Sequence, residues 1–323
     1  MKAAQHTIVA MAQARFMGLM RIPTLATLLV LVAGSVHGQS FETVGIRAQG
    51  LGGAFVAVAS DSSATWWNPA GLAAGPFVDV SLSASHGGRA GERHPAWGVA
   101  VAAPMLGASY YRFQITEIQP FHSTDQIVNG RQETQAPVSR ASHSASLLGI
   151  SLVHSVASGI HVGTTVKAIG LGTDGDVFHR VDMDLGGLAV HRGLRVGASV
   201  RNVLRPAFGS SEVRLPRYAR VGAAFDAEAA GYRPVVVSAD VDLAKYESAG
   251  RERRMVAVGI EHWIRGRRVG VRAGSRINTV GAHETAMSAG ASVALTSLMY
   301  VEGQVTGGAS ADQRWSVGAR VTF

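Results

Sequence analysis

The chain ends Arg314-Trp315-Ser316-Val317-Gly318-Ala319-Arg320-Val321-Thr322-Phe323. Trp315, Val317, Ala319, Val321 and Phe323 alternate with Arg314, Ser316, Gly318, Arg320 and Thr322. Successive strand side chains point to opposite faces, so this stretch reads as a β-strand with one apolar face and one polar or small face. In a soluble sandwich the apolar face would meet a core. In a barrel within a membrane it meets lipid, and the Arg and Gly face meets the lumen.

The same alternation recurs upstream. Leu194, Val196, Ala198 and Val200 oppose Arg195, Gly197, Ser199 and Arg201; Val269, Val271 and Ala273 oppose Arg268, Gly270, Arg272 and Gly274. Breaking the sequence at its turn-rich points predicts an all-β, antiparallel up-and-down barrel of about fourteen strands. They fall near 77–85, 96–103, 106–116, 139–152, 160–170, 181–191, 194–203, 217–227, 233–243, 254–264, 267–276, 285–296, 298–306 and 313–323. An even count places both ends of a single-chain barrel on one side. Two connections are long, Glu117 to Ser139 and Asn202 to Arg217. Trp97, Tyr110, Tyr111, Trp263, Tyr300 and Trp315 lie near strand ends and are expected to form interfacial girdles.

Composition agrees. Of 323 residues only 16% are charged, against about a quarter in typical soluble domains. The 39 glycines are spread along the whole chain. The absence of cysteine removes disulfides, thiolate metal sites and a lipidated Cys. The net charge of +8 comes from scattered arginines, not a Lys/Arg run, so nucleic acid is not an expected partner. At the N-terminus Lys2, Arg15 and Arg21 precede an apolar stretch, Leu25 to Ala33, and small residues Val36 and Gly38 precede Gln39. This reads as a signal peptide over 1–38, because the apolar stretch is about half of the ~20 residues that span a bilayer. With no longer apolar run, a membrane-embedded mature protein must be a closed barrel. The domain plan is therefore a signal peptide (1–38), an N-terminal segment (39–76) and a barrel (77–323).

The polar faces carry both signs. Lys167, Arg195, Arg201, Arg220, Arg272 and Arg320 stand against Asp182, Asp184, Asp240, Asp242 and Glu261. All are expected to line the lumen, as ion pairs on neighbouring strands or as a lining selective for an anionic or amphipathic solute.

The segment before the first strand does not alternate. Gly50, Gly52 and Gly53 lack the preceding strand and the downstream acid of a nucleotide fingerprint. Asp61 or Ser62 is expected to cap a short helix running through Trp67, with Asn68-Pro69 ending it. Here a resemblance enters. Arg47-Ala48-x-Gly50-x-Gly52-Gly53-Ala54-Phe55-Val56-Ala57, followed by Ala64-x-x-Trp67-Asn68-Pro69-Ala70-Gly71-Leu72, resembles the N-terminal signature of the PorV/PorQ family, within the FadL-like outer-membrane barrels. Val200-Arg201-Asn202-Val203-Leu204-Arg205-Pro206 with Leu215-Pro216-Arg217-Tyr218-Ala219-Arg220-Val221-Gly222 resembles the mid-barrel pattern of PorV-like proteins. Where that family usually carries a second acid after Asp61, this chain has Ser62.

The resemblance implies a hatch that plugs a fourteen-stranded barrel, with Gly50, Gly52, Gly53, Asp61, Trp66, Trp67, Asn68, Pro69 and Gly71 as its gating residues. It also implies that the C-terminal form Ser316-x-Gly318-x-x-Val321-x-Phe323 is read by the barrel-assembly machinery. The localisation that follows is the outer membrane, among its lipids. His143-Ser144 and His154-Ser155 are adjacent pairs without an orienting acid, and the twelve histidines show no metal-ligand spacing. No catalytic residue, metal or cofactor is expected. Two functions remain: a channel for hydrophobic or amphipathic solutes of fatty-acid or hydrocarbon type, or a docking barrel for a secretion-system or surface-assembly protein.

Overall fold

A computed structural model describes residues 44–88, 94–119, 139–173, 176–208, 213–248, 251–308 and 313–323. The signal-peptide stretch and residues 39–43 lie outside the described residues. The strands are β1 (Asp79–Gly88), β2 (Ala96–Ala103), β3 (Leu106–Gln119), β4 (Ser139–Ala157), β5 (Ile160–Thr173), β6 (Asp176–His191), β7 (Leu194–Arg201), β8 (Ala207–Phe208) and β9 (Val213–Arg214). Next come β10 (Tyr218–Asp226), β11 (Val235–Asp242), β12 (Tyr246–Ser248), β13 (Arg251–Arg253), β14 (Met255–Ile264), β15 (Val269–Asn278), β16 (Thr285–Ala294), β17 (Met299–Gly307) and β18 (Gln313–Thr322).

Fourteen of them close into an antiparallel barrel, in which β7 pairs with β10 and β11 with β14. β1 and β18 seal it in a continuous register from Asp79↔Thr322 to Gly88↔Gln313. The small hairpins β8–β9 and β12–β13 decorate two connections. Strand parity puts the connections 104–105, 158–159, 192–193, 227–234, 265–268 and 295–298 at the end that carries Phe323, the near end. Both long connections lie at the opposite, far end.

Outward positions are apolar around the ring, with Leu82 57%, Ile150 53%, Val166 51%, Val237 50%, Val258 51% and Val317 49% exposed. On β14 the exposed positions run from Val256 to Ile264, a tilted height of roughly 20 Å. A closed ring of this kind meets lipid on its outside and satisfies every backbone group by its own ladder. The inward positions are the buried polar ones, the inverse of a soluble protein.

Two expectations need correction. β3, β5 and β6 extend past their predicted far ends, to Gln119, to Thr173 and from Asp176, and β4 past its predicted near end, to Ala157. The ladder Glu117↔Ala141, Ile118↔Arg140 and Gln119↔Ser139 shortens the first long connection to 120–138. Beyond the lipid both faces meet water, so alternation fades while the ladder continues. The second correction concerns the aromatics. Trp97 and Trp315 are 45% and 50% exposed and Tyr110 shares their outward parity, but Tyr111 and Trp263 are 5% and 7% exposed and face inward, as does Tyr300.

Candidate functional site

Residues 44–76 sit inside the barrel, in the half nearer the termini. Helix α1 (Ile46–Gly50), helix α2 (Ala64–Trp67) and a 3-10 turn (Pro69–Ala74) are joined by tight turns. Gly52 and Gly53 adopt φ of 67° and 88°, left-handed values that a side chain resists. That turn points the Phe55 and Val56 amides at the wall, where Asp240 Oδ2 accepts both at 2.8 Å. Gly50 is different: an added Cβ would make only ordinary contacts at 3.5 Å, so space does not require glycine there.

The capping expectation is corrected. Ser63 is the N-cap of α2, and Asp61 braces it from outside, accepting from Ser63 N at 3.0 Å and Ser63 Oγ at 2.5 Å. Asn68 ends α2 and then caps the 3-10 turn, accepting from Ala70 N at 3.2 Å. Its amide also donates to Val56 O at 2.8 Å and Gly187 O at 3.0 Å, so it ties two hatch segments to β6. Pro69 opens the 3-10 turn. The Cβ-free faces of wall residues Gly163, Gly186, Gly197, Gly259 and Gly274 receive the hatch: a Cβ at any of them would strike Ala70, Asn68, Val56 or Leu51.

Arg47 is the main anchor. Its Nε and one amino group hold both Glu261 oxygens at 2.8 and 3.0 Å, while the other amino group donates to Val58 O at 3.2 Å and Ser60 Oγ at 3.3 Å. Asp61 lies 3.7 Å from it. Burial works against the guanidinium charge, but Glu261 and then Asp61 outweigh that and its pKa is raised. Glu261 also accepts from Arg272 Nε at 2.7 Å and Trp263 Nε1 at 3.0 Å, and Arg272 reaches on to Ser292 and Glu302. Elsewhere Asp79 accepts from Ser62 N at 2.8 Å and Arg320 Nε at 2.6 Å. Gln49 Oε1 accepts from Gln304 at 2.9 Å and Ser316 at 3.0 Å.

The far side of the hatch is apolar. Trp66 packs edge-on against Tyr111 at 5.6 Å, beside Phe113, and Leu147, Ile169 and Leu171 continue the surface. Phe208 and Leu215, 4% and 7% exposed, come from the β7–β10 connection, whose described parts, 202–208 and 213–217, fold inward over this chamber. The Arg201 guanidinium stacks 3.8 Å from the Trp66 ring centre. Trp66 Nε1 is buried without a hydrogen-bond partner among the described residues. The remaining cavity holds about 20 Å³, room for about one water.

The inward-folded connection is pinned by buried charge. Lys167 Nζ donates to Asp184 Oδ1 and Asn202 Oδ1 at 2.6 Å each. Asn202 N and Leu204 N donate to Asp184 at 2.8 Å and Asp182 at 2.9 Å. Breaking a buried pair costs about 3 kcal/mol or more. Asp184→Ala is therefore expected to speed tryptic cleavage at Arg205 or Arg217 on the order of 100-fold, with the barrel's circular dichroism unchanged. An unchanged cleavage rate contradicts the pinning.

On the near side lies a vestibule of about 360 Å³, lined by Arg47, Arg195, Glu261, Trp263, Tyr300 and Arg320. Arg195 pairs with Asp226 at 2.9 Å at its rim. Arg220 holds Asp242 at 2.6 Å, within the wall.

The charges predicted to line the lumen thus all face inward. Arg47, Arg195, Glu261 and Arg320 border the vestibule, Lys167, Asp182 and Asp184 pin the connection, and Asp240 holds the hatch. Of the C-terminal signal residues, Ser316 binds Gln49, and Gly318 has no room for a Cβ between Leu82 O and Ile46. Val321 lies at an outward position of the near-end rim, and Phe323 is 58% exposed there. Sequence reasoning passed over Arg47, although it is the only cation between residues 44 and 76.

No family model matches the chain, and no curated protein matches it in sequence. Solved structures do. The CymD monoaromatic hydrocarbon channel superposes with a TM-score of 0.64 at 11% identity, covering 88% of this chain and 99% of that one. The toluene transporter TodX of Pseudomonas putida gives 0.59 at 12% identity, covering 88% and 99%. A FadL homologue of Pseudomonas aeruginosa gives 0.57 at 10% identity, covering 88% and 100%. The fold is that of the FadL-like channels. At this identity the likeness is one of architecture, and within this FadL-like fold the hatch contacts described above are read from this chain alone.

Proposed function

We propose that the chain is a FadL-like outer-membrane channel for the passive passage of hydrophobic or amphipathic small molecules, of hydrocarbon or fatty-acid type. The observation that carries this is the apolar chamber over Trp66, in the interior of a barrel whose inward face is otherwise polar. A water-filled pore gains nothing from Phe113, Leu147, Ile169 and Leu215 at that place. The chamber as it stands admits about one water, so a monoaromatic solute enters only when the segment carrying Leu215 lifts off Trp66; burying about 200 Å² there would then gain about 5 kcal/mol, enough to draw it in without an energy source. It would then pass the hatch into the vestibule, whose 360 Å³ exceeds the roughly 150 Å³ of a cavity that admits benzene. In this reading the near end faces the periplasm and the signal peptide and terminal strand serve export and barrel assembly.

The test is flux into vesicles whose outer leaflet carries lipopolysaccharide, which slows spontaneous entry of toluene. Wild-type barrels should admit toluene faster than empty vesicles while excluding a hydrophilic sugar, and Trp66→Ala should change the toluene rate. Equal toluene rates with and without protein would remove the proposal.

A second reading has its own support. Hatch contacts as numerous as those of Arg47, Gln49, Asn68 and the Phe55 and Val56 amides suit a permanent plug, as a PorV-like docking barrel would use. Stable co-purification of a translocon or surface protein from native membranes favours this reading, and isolation of the barrel alone favours transport.

A further inference from the structure

We propose that the outward face of β18, β1, β2 and β3 binds a phosphorylated lipid of the outer leaflet. Its phosphate would lie at Arg112 and His86 and its chains along Trp97 and Trp315. The inference rests on the lipid-facing reading of the barrel's outside, and it concerns a surface that the proposed solute path does not use.

The outward columns of these strands are apolar from the near end up to Ala84 and Tyr110, and then turn polar at one level. His86 follows Ala84 on β1, and Arg112 and Gln114 follow Tyr110 on β3. Register holds these groups side by side: Trp97 pairs with both Ala84 and Arg112, His86 pairs with Trp315, and Gln114 N donates to Pro95 O at 2.9 Å. Arg112 is exposed and makes no ion pair among the described residues. An unpaired cation at the edge of a hydrocarbon layer is costly unless it reaches an anion at headgroup level. A lipid phosphate is the anion present there, and guanidinium–phosphate bonds are among the stronger hydrogen bonds.

The relief of the surface fits more than a headgroup. A depression of about 450 Å³ runs between the Trp97 and Trp315 rings, with Ala84 between them and Arg112 at its edge. A second, of about 680 Å³, lies on the other side of Trp315 and shares His86 with the first; Met287, Ala289 and Val305 form its apolar part. Trp315 is thus a ridge between two troughs that meet at His86. A lipid with several chains and a phosphate matches this shape, whereas a protein partner would have to enter the hydrocarbon layer to reach it. Tryptophan flanking is the usual chemistry of the membrane interface.

The experiment is native mass spectrometry of the full barrel in nonionic detergent, titrated with diphosphorylated lipid A and with the same lipid stripped of phosphate. One lipid A retained per barrel is expected, with retention at least about tenfold weaker for the stripped lipid and for Arg112→Gln/His86→Gln. Equal retention of the two lipids, or by the variant, overturns the proposal. A second readout does not depend on the variant. Trp66, Trp67 and Trp263 are buried inside, so brominated-chain lipid A should quench only Trp97 and Trp315, and Trp97→Phe/Trp315→Phe should abolish the quenching. Quenching that persists in that double variant also overturns it. Failure of toluene flux would leave both readouts untouched.

Discussion

Replacing Gly274 by valine should open the barrel to ions. Gly274 faces the lumen from β15, and a Cβ there would run into the carbonyl carbon of Leu51 and the amide nitrogen of Gly52. Both are backbone atoms of the hatch turn, so no side-chain rotation relieves the overlap. The strand cannot retreat either, because Gly274 is paired to Gly259 on one side and Ser288 on the other. Overpacking of side chains costs about 1–3 kcal/mol, and a backbone collision sits at or above the upper end of that range. The hatch turn gives way while the ladder persists. Single-channel recording in planar bilayers should show conductance several-fold above wild type, with heat-modifiable migration of the barrel retained. Wild-type conductance in Gly274→Val would mean that the turn is not seated on β15.

The second large effect is expected at Arg47. Arg47→Met keeps the apolar stem and removes the bidentate pair with Glu261, together with the bonds to Val58 O and Ser60. Glu261 keeps Arg272 and Trp263, so the cost falls at the low end for a broken buried pair, about 3 kcal/mol. The chain has no cysteine, so a Ser62→Cys reporter is unambiguous, and Ser62 is fully buried. Thiol labelling of that reporter should be on the order of 100-fold faster with Arg47→Met. Labelling at the unaltered rate would show that the hatch is held without the ion pair.

The barrel was legible because lipid and lumen impose opposite demands on alternate residues. The far-end extensions of β3, β5 and β6 were not, since water on both faces imposes no such pattern. The misassigned aromatics show a neglected rule, not a missing signal. Tyr110 and Tyr111 are neighbours in a strand and must face opposite sides, and Trp263 shares the face of Glu261, two residues away. The segment before β1 stood apart because it does not alternate, but its role as a hatch was implied only by the family resemblance, and its anchors were not legible. Arg47 finds Glu261 across 214 residues, a contact that no local pattern encodes. The inward fold of residues 202–208 and 213–217 was hidden for the same reason. Phe208 and Leu215, apolar residues in a polar loop, were the available hint.

In the proposed channel, solute passes from the Trp66 chamber to the vestibule only when the hatch moves. Ser62 in the hatch and Ser81 on β1 already stand with their hydroxyl oxygens 2.7 Å apart, so Ser62→Cys/Ser81→Cys can close a disulfide between hatch and wall. Toluene flux into lipopolysaccharide-coated vesicles should fall to the protein-free rate when this variant is oxidised and return on reduction. Undiminished flux through the fully oxidised variant would contradict the account.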